Sequence, residues 1–195
     1  MWKKFCEQDT NEENKLRMKY ERRFRYLLRW NITNEEGLFK KELFDKYYDM
    51  LMSMAGSVVY VGELGSGNVA KLANQMIVAI NISAVAEALT FAKKAGTDPE
   101  LVYQAIRGGL AGSTVMDAKA PMMLDGNYKP GFRIELHIKD LTNALNAAHA
   151  ISSPAPLTAQ VMEVMQFLRT EGCDKEDHAS IVKYYEKISG TSIVK

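Results

Sequence analysis

The chain has 195 residues, of which 47% are hydrophobic and 25% charged, a composition typical of one soluble globular domain with room for an appendage. A net charge of +1 excludes a global field that attracts nucleic acid or an anionic membrane, so we expect neither as a partner. Cys6 and Cys173 lie far apart, and the first residues contain no apolar signal-like stretch. We therefore expect free thiols, no metal site and a cytoplasmic protein.

Residues 1–43 form a highly charged segment that differs from the rest of the chain. Basic residues cluster between Lys15 and Arg29, and apolar residues recur among them at helical intervals. This pattern predicts a basic amphipathic helix that either packs its apolar stripe on the main body or contacts RNA, an acidic partner or a membrane surface. We assign it no role, and we take residues 44–195 as the main domain.

The main domain begins with a predicted helix over residues 44–54, followed by a short extended stretch over residues 58–61. A glycine-rich turn then leads to Asn68, a candidate N-cap, and to an unbroken helical pattern that ends at Gly96. This helix is apolar around most of its circumference. We therefore expect a bundle or a second subunit to cover it on several sides.

The remaining chain continues as helices separated by glycine and proline. We predict them over residues 99–106, 114–123, 132–150, 157–169 and 177–189. Strands do not alternate with helices anywhere in the pattern. The sequence therefore predicts an all-α fold with one long central helix.

Polar side chains interrupt the long apolar helix near its start. Lys71, Asn74 and Gln75 occupy positions i, i+3 and i+4, so they share one face, and Asn81 follows two turns later. Burying such groups is costly unless they pair, which favours a substrate pocket, and partial burial would make the lysine a usable proton donor. The alternative is a lysine that reaches water beside asparagines that bridge helices.

A second polar interruption lies in the predicted helix over residues 132–150. Lys139 and Asp140 form either a pocket edge or an exposed ion pair of little energy. His137, His149 and His178 show no metal-binding spacing. This region therefore offers a candidate binding surface and no hydrolytic or metal centre.

Three segments together resemble the β-hydroxyacid dehydrogenases: residues 54–75, 101–114 and 130–141. The last two segments resemble the branch of this family that acts on tartronate semialdehyde. The resemblance implies the helical C-terminal domain of 6-phosphogluconate dehydrogenase-like proteins, which binds substrate and forms homo-oligomers. The complete enzyme would interconvert tartronate semialdehyde and D-glycerate with NADH or NADPH.

The resemblance also implies roles for individual residues. Lys71 matches the family's catalytic lysine, which protonates the substrate's carbonyl oxygen as hydride arrives from the nicotinamide. Asn74 matches an asparagine that holds the substrate, and Gln75 stands beside it as a further substrate-binding residue. Lys139 matches the lysine of a Lys-Asp-Leu motif that reaches the bound cofactor.

The sequence departs from this family in its first part. Family members begin with a Rossmann domain carrying GxGxxG and a serine-glycine-glycine loop, whereas residues 62–67 here read GxxGxG without a βαβ pattern. We therefore expect the 195 residues alone neither to bind NAD(P)H nor to reduce substrate. Two alternatives stay open: a non-catalytic dimerising module with a basic N-terminal helix, and a partner for a separately encoded nucleotide-binding domain.

Overall fold

The computed structural model describes residues 41–62 and 65–194, and the basic helix predicted before residue 41 lies outside them. The chain divides into two compact units, residues 1–71 and 72–195, and each is described by itself. The predicted domain boundary at residue 44 stays a prediction. Within the described part, helices are joined by turns, and the only β-type pairing is an isolated bridge between Arg133 and Asp177. The predicted all-α fold is confirmed there.

In the first unit the described residues from 41 to 62 form two short helices, α1 (Lys41–Lys46) and α2 (Tyr48–Met52). Among these described residues, Phe44 and Leu51 are buried and apolar. The single helix predicted over residues 44–54 is wrong, because Tyr47 leaves the helical region with φ −106° and ψ 12°. The break lets the two helices turn Phe44 and Leu51 toward one cluster.

The long helix α3 (Ser66–Lys94) starts in the first unit and continues through the second. It begins two residues before the predicted cap at Asn68, because the carbonyl of Gly65 already accepts the first helical bond, from the amide of Val69 at 3.0 Å. By length and composition alone α3 could cross a membrane. The core helix of a globular protein meets the same criteria, and one stripe of α3 is buried in the core of the second unit.

The second unit surrounds that stripe with further helices. They are α4 (Pro99–Ile106), α5 (Thr114–Leu124), α6 (Ile134–Ala150), α7 (Pro156–Thr170), a 3₁₀ turn (His178–Ile181) and α8 (Val182–Ser189). The predicted helices are confirmed with shifts of one or two residues, except that the last one starts as the 3₁₀ turn. The core includes Ile82, Leu89, Met123, Ile134, Leu141, Met165 and Ile181, all almost fully buried.

The end of α3 and the start of α4 follow the predicted signals. Gly96 has φ +81°, its amide bonds to the carbonyl of Lys93, and the amide of Thr97 bonds to the carbonyl of Ala92. The Asp98 side chain then accepts from the amide of Glu100 at 2.8 Å and caps α4.

We expect Gly96→Ala to destabilise the protein by about 1 kcal/mol, because an L side chain is disfavoured at this left-handed φ although it would meet no atom within 4 Å. Urea unfolding followed by circular dichroism measures this difference. Gly108→Ala is the matched control, since Gly108 is also open but has no positive φ. Equal losses in the two variants would contradict the assignment of the cost to backbone conformation.

Candidate functional site

The polar residues predicted near the start of α3 form a hydrogen-bonded chain that reaches α6. The Gln75 side-chain amide donates to Oδ2 of Asp140 at 2.7 Å, and the Asn74 amide donates to Oε1 of Gln75 at 3.1 Å. Asn74 and Gln75 are half-buried, and Asp140 is only 6% exposed. Asp140 is therefore a buried acceptor for Gln75, which argues against the exposed-ion-pair interpretation.

The two predicted cationic residues lie in these same helices, and both are exposed. Lys71 precedes Asn74 by three residues in α3, and Lys139 is the chain neighbour of Asp140 in α6. The partial burial that the sequence suggested for Lys71 is not found, because Lys71 is exposed. Its assignment as a proton donor therefore depends on the family resemblance.

Asn81, the fourth polar residue of α3, bridges two elements. Its Oδ1 accepts from Oγ of Ser113 at 3.0 Å, and that Oγ in turn accepts from the amide of Met116 at 2.9 Å. Ser113 thereby caps α5 while tied to α3. The helix-bridging alternative holds for Asn81, and we give it no binding role.

Two buried histidines, His137 and His178, lie next to the main chain of Gln75. Nδ1 of His137 is 3.0 Å from Nδ1 of His178, and Nε2 of His137 is 3.2 Å from the main-chain oxygen of Gln75. The Phe132 ring packs against both imidazoles, with 5.5 Å between ring centroids in each case. Burial lowers the pKa of His137, and burial together with the neighbouring His137 and Lys119 lowers the pKa of His178 to about 3.

Asp177 completes this cluster, and every acceptor position of its carboxylate is used. Oδ1 accepts from Nζ of Lys119 at 2.8 Å and from the amide of Ala179 at 2.9 Å. Oδ2 accepts from the amides of Gly131 at 2.9 Å and Phe132 at 3.0 Å. Burial by itself raises the pKa of Asp177, but these hydrogen bonds outweigh it and hold the pKa below its ordinary value.

Sequence reasoning missed this cluster. His137 and His178 are 41 residues apart, and Lys119 and Asp177 are 58 apart, so no local spacing connects them. The one available signal was His137 itself, which occupies an apolar helical position between Ile134 and Leu141. Among the residues that the structure describes, no three histidine, cysteine or acidic side chains are placed to hold a metal ion.

The histidine pair predicts a loss of stability in mild acid. Both folded-state pKa values lie below the ordinary 6.5, so the unfolded chain takes up more protons as the pH falls below that value. The contribution of the histidine pair to the free energy of unfolding is therefore full above about pH 6.5 and is lost progressively toward pH 3. Each tenfold change in proton affinity is worth about 1.4 kcal/mol, so His178 alone should cost about 2 kcal/mol at pH 5.

Urea unfolding at pH 7 and pH 5 measures this loss, and Asp177 does not interfere, because its contribution falls only below about pH 3.8. His178→Asn should lose less stability between the two pH values than the unchanged chain. Equal stability of the unchanged chain at pH 7 and pH 5 would contradict the buried, neutral pair.

Comparison with known proteins places this geometry in context. Residues 65–185 match the family described as NAD-binding of NADP-dependent 3-hydroxyisobutyrate dehydrogenase. The 2-hydroxy-3-oxopropionate reductase of Escherichia coli (strain K12) is 39% identical over 144 residues, which are 74% of this chain and 49% of that protein. The 2-(hydroxymethyl)glutarate dehydrogenase of Eubacterium barkeri is 30% identical, over 77% of this chain and 50% of its own length.

A solved structure supports the fold. The crystal structure of 3-hydroxyisobutyrate dehydrogenase from Salmonella typhimurium superposes with a TM-score of 0.68 at 24% identity, over 77% of this chain and 51% of that one. At this identity the likeness concerns the fold alone. The chain spans about half the length of the curated relatives that it matches.

Proposed function

Because the chain belongs to the family described as NAD-binding of NADP-dependent 3-hydroxyisobutyrate dehydrogenase, we propose that it supplies the substrate-binding, helical half of a 2-hydroxy-3-oxopropionate reductase. The complete enzyme would interconvert tartronate semialdehyde and D-glycerate with NADH or NADPH. The observation that carries this proposal is the ordered amide chain of Asn74 and Gln75 on Asp140, in the stretch shared with the Escherichia coli reductase.

In this proposal the start of α3 handles the substrate's carbonyl and hydroxyl oxygens. The Lys71 ammonium gives its proton to the carbonyl oxygen, so that the aldehyde becomes an alcohol and the lysine becomes neutral. Asn74 and Gln75 orient the substrate through their amides, which Asp140 already holds in place. NAD(P)H, when bound, supplies the hydride to the carbonyl carbon.

For the cofactor, the proposal assigns a contact to a single side chain of this chain, that of Lys139. Its exposed ammonium, beside the anchored Asp140, suits an anionic or electron-rich group that approaches from solvent. The described part of the chain contains no strand followed by a glycine-rich turn and helix, which would cradle a pyrophosphate. We therefore propose that these 195 residues alone neither bind NAD(P)H nor reduce tartronate semialdehyde.

Homo-oligomer formation and a cytoplasmic location belong to the same proposal. Ile77 and Phe91 of α3 are 64% and 73% exposed, which is unusual for large apolar side chains of a long helix and suits a second subunit. The burial of the opposite stripe of α3 in a core supports a soluble protein. The exposed apolar side chains of α3 suit the alternative of a dimerising interaction module equally, and its basic helix lies outside the described residues.

Binding of product to the isolated chain tests the proposed substrate. We expect D-glycerate, titrated into the ¹⁵N-labelled chain, to shift the side-chain amide signals of Asn74 and Gln75, because these groups would hydrogen-bond its hydroxyl and carboxylate oxygens. Asn143, exposed farther along α6, is the internal control. Equal shifts at Asn143, or larger shifts with 2-(hydroxymethyl)glutarate, would contradict the assignment.

A further inference from the structure

The protonation of the two buried imidazoles follows from their partners. The main-chain oxygen of Gln75 can only accept, so the hydrogen on neutral His137 resides on Nε2. Nδ1 of His137 then carries a lone pair, and the 3.0 Å contact between the two Nδ1 atoms requires His178 to donate from its own Nδ1. Each ring is therefore restricted to one tautomer.

Burial keeps both rings neutral against the pull of the neighbouring carboxylates. Asp140 and Asp177 favour the protonated form of His137, whereas burial and Lys119 oppose it. Asp177 is 3.9 Å from Nε2 of His178, beyond hydrogen-bonding distance, and its acceptor positions are already filled. Lys119 neutralises this carboxylate, so little charge remains to draw a proton onto His178.

Gln75 is consequently held at two points by the same helix. His137 of α6 contacts its main-chain oxygen, and Asp140, three residues later, accepts from its side chain at 2.7 Å. Asn74 in turn donates to the Gln75 side chain. Asp140 orients the two side-chain amides, and the bond from His137 ties the α3 backbone to α6 three residues before that acceptor.

We infer that His137 is a positioning residue for the substrate-binding side-chain amides of Asn74 and Gln75. Its Nε2–H donates to the main-chain carbonyl of Gln75 and so ties the α3 backbone to the helix that carries Asp140, while His178 donates to Nδ1 of His137 and fixes the required tautomer. The assignment of Asn74 and Gln75 as substrate-binding residues, on which this inference depends, rests on the proposed function. The geometric content of the inference, a directed chain from His178 through His137 to Gln75, stands independently of any substrate.

The tautomers can be measured on the unchanged 195-residue chain. Imidazole ¹⁵N spectra at pH 7 should show His137 protonated on Nε2 only and His178 protonated on Nδ1 only. A scalar coupling between the two Nδ1 nuclei should report the hydrogen bond between them. The reverse tautomers, a doubly protonated ring or an absent coupling would each overturn the inference.

Two substitutions distinguish the contribution of Nε2 of His137 from that of Nδ1. In His137→Gln the amide nitrogen can replace Nε2 and still donate to Gln75, whereas in His137→Asn it replaces Nδ1 and cannot reach that carbonyl. We expect the Asn74 and Gln75 side-chain signals to stay near their original positions in the glutamine variant and to move in the asparagine variant. His149→Gln, at an exposed position of α6, controls for the loss of an imidazole.

Unchanged Asn74 and Gln75 signals in both variants, together with lowered stability, would show a merely structural role and overturn the inference. If neither variant folds, the tautomer measurement on the unchanged chain decides. The proposed function fails separately: expected tautomers without any D-glycerate response contradict the substrate assignment alone. A D-glycerate response with reversed tautomers contradicts only the role of His137.

Discussion

Replacing Lys71 with methionine should lower the turnover number of a complete reductase by about 10²- to 10⁴-fold, the range expected when a general acid is lost. The test enzyme joins this chain to the N-terminal half of the Escherichia coli relative, whose matching stretch is 39% identical. Turnover is followed as NADPH oxidation with tartronate semialdehyde. The loss arises because the alkoxide that forms on hydride transfer then has no donor within reach.

The Michaelis constant separates this role from simple binding. If Lys71 acts mainly in the transition state, kcat should fall far more than KM rises. Lys93→Met is the matched control, since Lys93 is an exposed lysine in the last turn of the same helix. A Lys71→Met hybrid within tenfold of the unchanged hybrid would contradict the proposed proton transfer.

Replacing Asp177 with alanine should destabilise the protein by about 3–5 kcal/mol, the usual cost of removing one partner of a buried ion pair. Lys119, whose side chain is only 16% exposed, would lose its carboxylate partner, and three main-chain amides would lose their acceptor. Urea unfolding at pH 7 measures the difference.

Two further variants show which part of this cost is electrostatic. Asp177→Asn keeps one carbonyl acceptor but not the charge. It should therefore be more stable than the alanine variant and less stable than the unchanged chain. Asp125→Ala, at an exposed position after α5, should change stability by less than about 0.5 kcal/mol. A loss below about 1 kcal/mol for Asp177→Ala would contradict the role of the buried pair.

Local signals in the sequence located most helix boundaries. Asp98 before Pro99 and Gly96 after the long helix act through hydrogen bonds to residues two to five positions away, so their meaning does not depend on the rest of the fold. The break at Tyr47 was not predictable in this way, because the apolar pattern continues through it and only the packing of Phe44 and Leu51 favours two helices.

In the candidate site, too, some residues could be found from local sequence spacing and others only from tertiary contacts. Asn74 and Gln75 share a face of one helix, and their spacing was enough to single them out. Asp140 was found only as a polar interruption, and its bond to Gln75 required the packing of α6 on α3. The histidine pair depends entirely on tertiary contacts, and the exposure of Lys71 could not be deduced from an apolar neighbourhood in sequence.

The saturated carboxylate of Asp177 has a consequence for acid–base chemistry. An aspartate near two hydrogen-bonded histidines looks like a proton relay, yet a general base needs an acceptor position to spare, and Asp177 has none. His137 likewise has both ring nitrogens engaged. His178 is only 5% exposed, so the cluster is screened from a reacting molecule, which agrees with the proposed assignment of proton transfer to the exposed Lys71.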